Sequence, residues 1–152
     1  MKKFRKVVVG GTFEFLHLGH RTLIEKAFEV GEYVIIGLTS EKFKEGSSPY
    51  EYRERKLKNF LKNKKNYEIK KIYTPYDIAV ELEDLEAIIV SDETEWRARE
   101  INKIRERKGF KPLEIIKIPM ILAYDGKPIS SSRIKKGEIW ENGSKKNKNR
   151  TS

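Results

Sequence analysis

Apolar positions along this chain follow two periods. Val7–Val9, Tyr33–Leu38 and Ala87–Val90 are short, nearly unbroken apolar runs rich in β-branched residues, which predict strands buried on both faces. Tyr67–Tyr73 alternates between apolar and polar, and Leu113–Ile118 is closed by Pro119, so two further strands are expected. Between these runs the spacing changes. Leu23, Ile24, Ala27 and Phe28 predict a helix over Leu18–Val30 that Gly31 ends. Tyr50, Leu57, Phe60 and Leu61 form the inner face of a helix over Tyr50–Lys62, and Ile78–Leu85 is read as a short helix. Asp92 resembles an N-cap with Glu95 as its capping-box partner; that helix runs through Trp96, Ile101 and Ile104 to Gly109. Ser130 onward opens a last helix, while Ser40–Pro49, with Gly46, Ser47 and Ser48, reads as a mobile loop.

Strands alternating with helices predict an α/β fold, a single Rossmann-like doubly wound domain on a five-stranded parallel sheet. Its ligand is expected above the carboxyl ends of the strands. With no internal repeat or linker, residues 1–143 are read as one catalytic domain and 144–152 as a disordered basic tail.

Composition narrows the class. Of the 152 residues 38% are hydrophobic, enough for one core, and 37% are charged. Cysteine is absent, which excludes disulfides and thiolate metal sites. The basic start M-K-K-F-R-K is followed by no long apolar segment, so neither a signal peptide nor a membrane association is expected and the location is read as cytoplasmic. Net charge is +10, of which Lys145, Lys146, Lys148 and Arg150 supply four in a tail without acids. The rest is dispersed among 23 acidic residues; such a balance suits nucleic-acid binding, attraction of small phosphorylated anions or an ion-pair-rich protein adapted to heat, and charge alone chooses none of these.

Chemistry concentrates in one segment. The run V-V-V-G-G-T-F-E-F-L-H-L-G-H, Val7–His20, carries both histidines of the protein. A strand ends in Gly10-Gly11, Thr12 puts a hydroxyl at its carboxyl end, and His17 and His20 stand three apart where a helix begins. Glycines let backbone approach a ligand, and a helix N-terminus presents unpaired N–H groups and partial positive charge, which suits a phosphate. Gly19 removes bulk between the imidazoles. The plainer alternative makes Gly-Gly a turn and the histidines surface caps. A zinc site with Glu14 as third ligand is weaker, because no other histidine or cysteine exists to complete it.

G-G-T-F-E-F-L-H-L-G-H resembles the G-T-F-D-x-x-H-x-G-H signature of the nucleotidyltransferases named for their His-x-Gly-His motif. Glu14 stands where aspartate is usual, keeping the charge. The second signature of that superfamily, Ile-Ser-Ser/Thr-Ser/Thr, is matched by Ile129-Ser130-Ser131-Ser132-Arg133 over a hundred residues later. Within the superfamily nearly the whole chain resembles the archaeal-type phosphopantetheine adenylyltransferases. The likeness runs through G-L-T-S-E-K-F at Gly37–Phe43, V-S-D-E-T at Val90–Thr94 with Ile101-Asn102, K-P-L-E-I-I at Lys111–Ile116, and Y-D-G-K-P-I-S-S-S-R-I at Tyr124–Ile134.

That resemblance implies adenylyl transfer from ATP to 4′-phosphopantetheine, giving dephospho-coenzyme A and pyrophosphate. It implies that Thr12 binds the attacking phosphate, that Phe13 lies with Thr12 against both ligands, and that His20 holds the phosphates of ATP and stabilises the transition state. His17 would assist. Gly10, Gly11 and Gly19 would line the nucleotide site, and Ser130, Ser131, Ser132 and Arg133 would bind the β- and γ-phosphates. Taken alone, that last segment is a serine N-cap beside a solvated arginine. A lysine after the second strand usually reaches the phosphates; Lys42 is favoured over Lys44, though spacing does not decide. Asp92 and Arg97 fall where the adenosine would lie, although capping accounts for Asp92 equally well. Mg²⁺ is expected, bridging phosphates and held mostly by water and substrate.

Two other members of the superfamily compete, a glycerol-3-phosphate cytidylyltransferase and an FAD synthetase. Both commonly carry an arginine four residues before the isoleucine of the second signature, where this chain has Asp125. A nucleic-acid-binding module is not expected, because the basic residues are scattered or in the tail. A homo-oligomer is left open.

Overall fold

The computed structural model describes residues 2–41 and 46–147. Five strands, β1 (Phe4–Gly11), β2 (Gly31–Thr39), β3 (Tyr67–Ile72), β4 (Ala87–Ser91) and β5 (Glu114–Ile118), alternate with helices α1 (Leu18–Val30), α2 (Tyr50–Phe60), α3 (Asp77–Glu81) and α4 (Glu95–Arg107). A short α5 (Ser131–Lys135) follows the sheet. All strand pairs are parallel, in the order β3-β2-β1-β4-β5. The expected doubly wound α/β domain is thus present.

Alternation along the strands sorts side chains between two cores. Val7, Val9, Val34, Ile36, Ala87 and Ile89 face one way and pack with Ile24, Ala27 and Phe28 of α1 and Leu57 of α2. Val8, Ile35, Ile88 and Val90 face the other way, against Ile78 and Ala79 of α3 and Ala98 and Ile101 of α4. Ala123, Ile129 and Ile139 make a small third cluster under the C-terminal turns. The order in which strands are added reverses at β1, which pairs with β2 on one side and β4 on the other. A crevice therefore opens at the carboxyl ends of β1 and β4.

Gly31 ends α1 as its C-cap, as the spacing predicts, in an extended conformation (φ −112°) that already belongs to β2. The glycine is required by space, since a Cβ there would lie 2.6 Å from a Val7 methyl and 3.1 Å from the Ala27 carbonyl. Two local expectations are corrected. The Asp92–Glu95 capping box does not form. Thr94 is the N-cap of α4, without a side-chain cap bond, and Asp92 pairs instead with Lys117 at 3.2 Å. Glu95 turns to Arg99 at 3.0 Å and Lys117 at 3.4 Å, and these cations hold its carboxyl below the usual range. Cations in reach outcompete a backbone N–H for the acids. Finally, the first residues assigned to the tail are attached. Trp140 N–H donates to the Ser144 carbonyl and Lys146 N–H to that of Glu138, and Lys145 bridges to Ile139.

Candidate active site

The β1–α1 connection is built under strain. Phe13 and Leu16 have φ of 50° and 47°, left-handed values that bulky residues adopt at a cost of about 1 kcal/mol or more each. Both side chains are buried, and that burial offsets the cost. The result is a tight loop that hands the chain from Gly11 to α1 with His17 as N-cap. Imidazole Nδ1 of His17 accepts hydrogen bonds from the backbone N–H groups of Gly19 (3.1 Å) and His20 (3.4 Å). Gly19 is needed for this ring: a Cβ on it would stand 2.9 Å from His17 Cε1. The plainer reading of a histidine cap is thus partly right, but the cap is buried rather than on the surface. Burial, with Arg21 nearby, lowers the His17 pKa to about 4. An Nδ1 that accepts from two backbone donors must be unprotonated, so the neutral ring carries its proton on Nε2.

His20 stacks on His17, with centroids 3.7 Å apart and planes inclined by 17°. The Phe13 and His20 rings meet edge-to-face, with centroids 5.1 Å apart and planes inclined by 86°. Both histidines line a cavity of about 450 Å³ together with Gly10, Gly11, Thr12 and Gly19 of the first motif and Ser130, Ser131 and Ser132 of the second. Ser130 caps α5, its hydroxyl accepting from Arg133 N–H at 3.2 Å. Folding so brings together two segments more than a hundred residues apart. Arg97 also lines the cavity; its guanidinium lies 5.2 Å from the Trp96 ring centre, and its buried Nε–H has no hydrogen-bond partner among the described residues.

Other expected residues lie elsewhere. Phe13 backs His20 from the core and does not line the cavity. Asp92 is exposed beside Lys117. Arg133 turns from the cavity into a double ion pair, with Asp125 at 2.6 Å and Glu138 at 3.0 Å. Hydrogen bonding from Arg133 holds the Asp125 carboxyl below its usual range. Lys42 and Lys44 lie outside the described residues. Glu14 does not join the histidines as a metal ligand. It is buried and accepts from Ser48 N–H at 2.7 Å, and no metal-binding group of three His, Cys, Asp or Glu side chains occurs among the described residues.

Sequence reading missed several contributors. Thr39 at the end of β2, Ile72, and Pro119–Ile121 after β5 also line the cavity. Each stands at or just beyond a strand's carboxyl end, and that position was the available signal. A second omission is Arg53, a fully buried cation on α2. Its Nε–H donates to the Ser48 carbonyl at 2.8 Å, and Nη1–H to the Thr12 carbonyl at 3.0 Å.

A cavity at the sheet's reversal point, lined by neutral imidazole, hydroxyls and a serine-capped helix start, offers the kind of donors that suit a phosphate. The chain matches the cytidylyltransferase-like family over residues 8–137, and fold and site together define a nucleotidyltransferase. The phosphopantetheine adenylyltransferase of Thermococcus kodakarensis is 50% identical, over 91% of this chain and 88% of that protein. The enzyme of the same name from Methanothermobacter thermautotrophicus is 48% identical, over 91% and 87%. A crystal structure of an Archaeoglobus fulgidus protein of unknown function superposes with a TM-score of 0.69 at 36% identity, covering 74% of this chain and 88% of that one. This chain belongs to the phosphopantetheine adenylyltransferase family. No helix among the described residues is long and apolar enough to cross a membrane.

Proposed function

We propose that the cavity joins ATP to 4′-phosphopantetheine, releasing pyrophosphate and dephospho-coenzyme A. The observation that carries this reading is the meeting of Thr12, His17 and His20 with Ser130–Ser132 around one cavity. A phosphate oxygen of phosphopantetheine attacks the α-phosphorus of ATP, a new P–O bond forms, and the bond to the bridging oxygen of the β-phosphate breaks. Pyrophosphate leaves with that electron pair. No protein nucleophile is required, so catalysis consists of positioning and charge stabilisation.

Each motif then has a task. Thr12 donates its hydroxyl to the attacking phosphate. His20, in contact with the rings of Phe13 and His17, holds the transferring group as charge builds on it. His17 offers Nε2–H as a neutral donor, and Gly10, Gly11 and Gly19 admit the nucleotide closely. Ser130–Ser132 receive the β- and γ-phosphates through hydroxyls and N–H groups. Arg97, whose buried Nε–H is unpaired among the described residues, serves the nucleoside end. Mg²⁺ fits this donor set only as a companion of ATP: with no cluster of acidic ligands among the described residues, the triphosphate and water would hold it. It would neutralise phosphate charge. Both substrates are water-soluble, and the reaction suits the cytoplasm.

Pyrophosphate release should occur with ATP plus 4′-phosphopantetheine. Release only with CTP plus glycerol 3-phosphate, or only with ATP plus FMN, would replace this reading by one of the competing transferases.

A further inference from the structure

Behind Thr12 the structure holds a polar chain that the reaction as written does not use. Arg53 is fully buried, and Thr39 is 2% exposed. Besides its bond to the Thr12 carbonyl, Arg53 Nη1–H donates to Thr39 Oγ1 at 3.4 Å. Thr39 Oγ1 in turn lies 3.0 Å from Thr12 Oγ1, and Thr12 lines the cavity. Arg53 makes no salt bridge among the described residues; its Nε–H and Nη1–H donors go to the Ser48 and Thr12 carbonyls and to this chain.

The direction of these bonds follows from proton count. Guanidinium has donors only, whereas a hydroxyl has one proton and two lone pairs. Thr39 must accept from Arg53, so its single proton goes to Thr12. Thr12 then accepts from Thr39, and its own proton is left for the cavity. We infer that Arg53 and Thr39 are positioning residues that set the Thr12 hydroxyl as an obligate donor, polarised by a buried cation, toward the attacking phosphate. Arg53 is not among the residues lining the cavity, and Thr39, at its margin, spends its single proton on Thr12 rather than on a ligand. Bonds in such a chain strengthen one another in a low-dielectric interior, so the charge of Arg53 is felt by the phosphate without an exposed arginine. The bond to the Thr12 carbonyl also anchors the backbone where the left-handed Phe13 begins.

This inference rests on the adenylyl-transfer reading and is separable from it. The experiment compares wild type, Thr39→Val, Thr39→Ser, Thr12→Val and the Thr12→Val/Thr39→Val double variant, by pyrophosphate release with ATP and 4′-phosphopantetheine. Valine keeps the shape of threonine and removes only the hydroxyl. Thr39→Val should lower kcat/KM for phosphopantetheine roughly ten- to a hundredfold with little change in KM for ATP, and Thr39→Ser should restore most of it. The double variant should be no slower than Thr12→Val, because Thr39 acts only through Thr12. Wild-type rates in Thr39→Val, or losses that multiply in the double variant, would overturn the relay while adenylyl transfer stands. An inactive wild type would overturn the reaction itself, and the relay with it. Thermal unfolding of each variant separates a folding defect from a lost hydrogen bond.

Discussion

His17 and His20 lie face to face, 3.7 Å between ring centres, yet they are not equivalent. His17 spends Nδ1 on the backbone of α1 and is held neutral by burial. His20 stacks on its ring, and Phe13 meets His20 edge-to-face at 5.1 Å. One histidine builds the start of the helix, and the other is presented by it.

The substitution His20→Ala should therefore lower kcat by about a hundredfold or more, the scale on which loss of one transition-state donor is felt, with KM for both substrates changed far less. Steady-state kinetics would show it. A rise in KM at unchanged kcat would make His20 a ground-state binding residue instead.

Acid stability should report on His17. Above pH 6.5 the ring is neutral in folded and unfolded chains alike; below it the unfolded chain takes up a proton that the folded ring refuses until about pH 4. Stability is then lost as pH falls through this window, by up to about 1.4 kcal/mol per pH unit. The variant His17→Asn keeps an oxygen for the cap but has nothing to protonate. Urea midpoints at pH 7 and pH 5 should differ less for it than for wild type. Equal responses would mean that His17 protonates without loosening the helix start.

Replacing Gly19 by alanine sets two effects against each other. In a helix alanine is favoured over glycine by about 1 kcal/mol, but its Cβ would meet His17 Cε1 at 2.9 Å. The contact should win, because the ring cannot retreat without giving up its two N–H donors. The melting temperature should fall and turnover with it. A higher melting temperature would show the ring to be free to shift.

Arg133 tests the second motif. It was expected on the phosphates but is committed to Asp125 and Glu138, joining α5 to the preceding turn. Changing it to glutamine should raise KM for ATP by less than about tenfold, the effect of a weakened α5 start rather than of a lost charge on phosphate. A rise of about a hundredfold would mean that the side chain leaves its acids when ATP binds.

Much of this molecule was legible in the order of its residues. The strands at Val7–Val9, Tyr33–Leu38 and Ala87–Val90 were visible because two-sided burial demands unbroken apolar runs. The helix at Leu18–Val30 is bounded as its spacing indicated. Both signature segments announced themselves because glycines, histidines and serines recur there at fixed spacing. Arg53 was not legible. On a charge-rich helix it resembles Arg55 and Lys56, and only packing against Thr12 and Thr39 makes it a buried donor. The same holds for Gly31, whose role depends on a Val7 methyl twenty-four residues away in the chain, and for Asp92, drawn from capping by Lys117 of β5.

By itself, then, the sequence determined which segments become strands and helices, the two motifs that come to line the cavity, and the family. Those properties are local, written in hydrophobic period, turn residues and short-range spacing. Tertiary structure alone decided which side chains face the cavity, which cations are paired, that His17 is a neutral cap while His20 is presented, and which way the hydroxyl of Thr12 points. These depend on atoms brought within about 3 Å of one another from distant parts of the chain, where a single proton or methyl group decides the outcome.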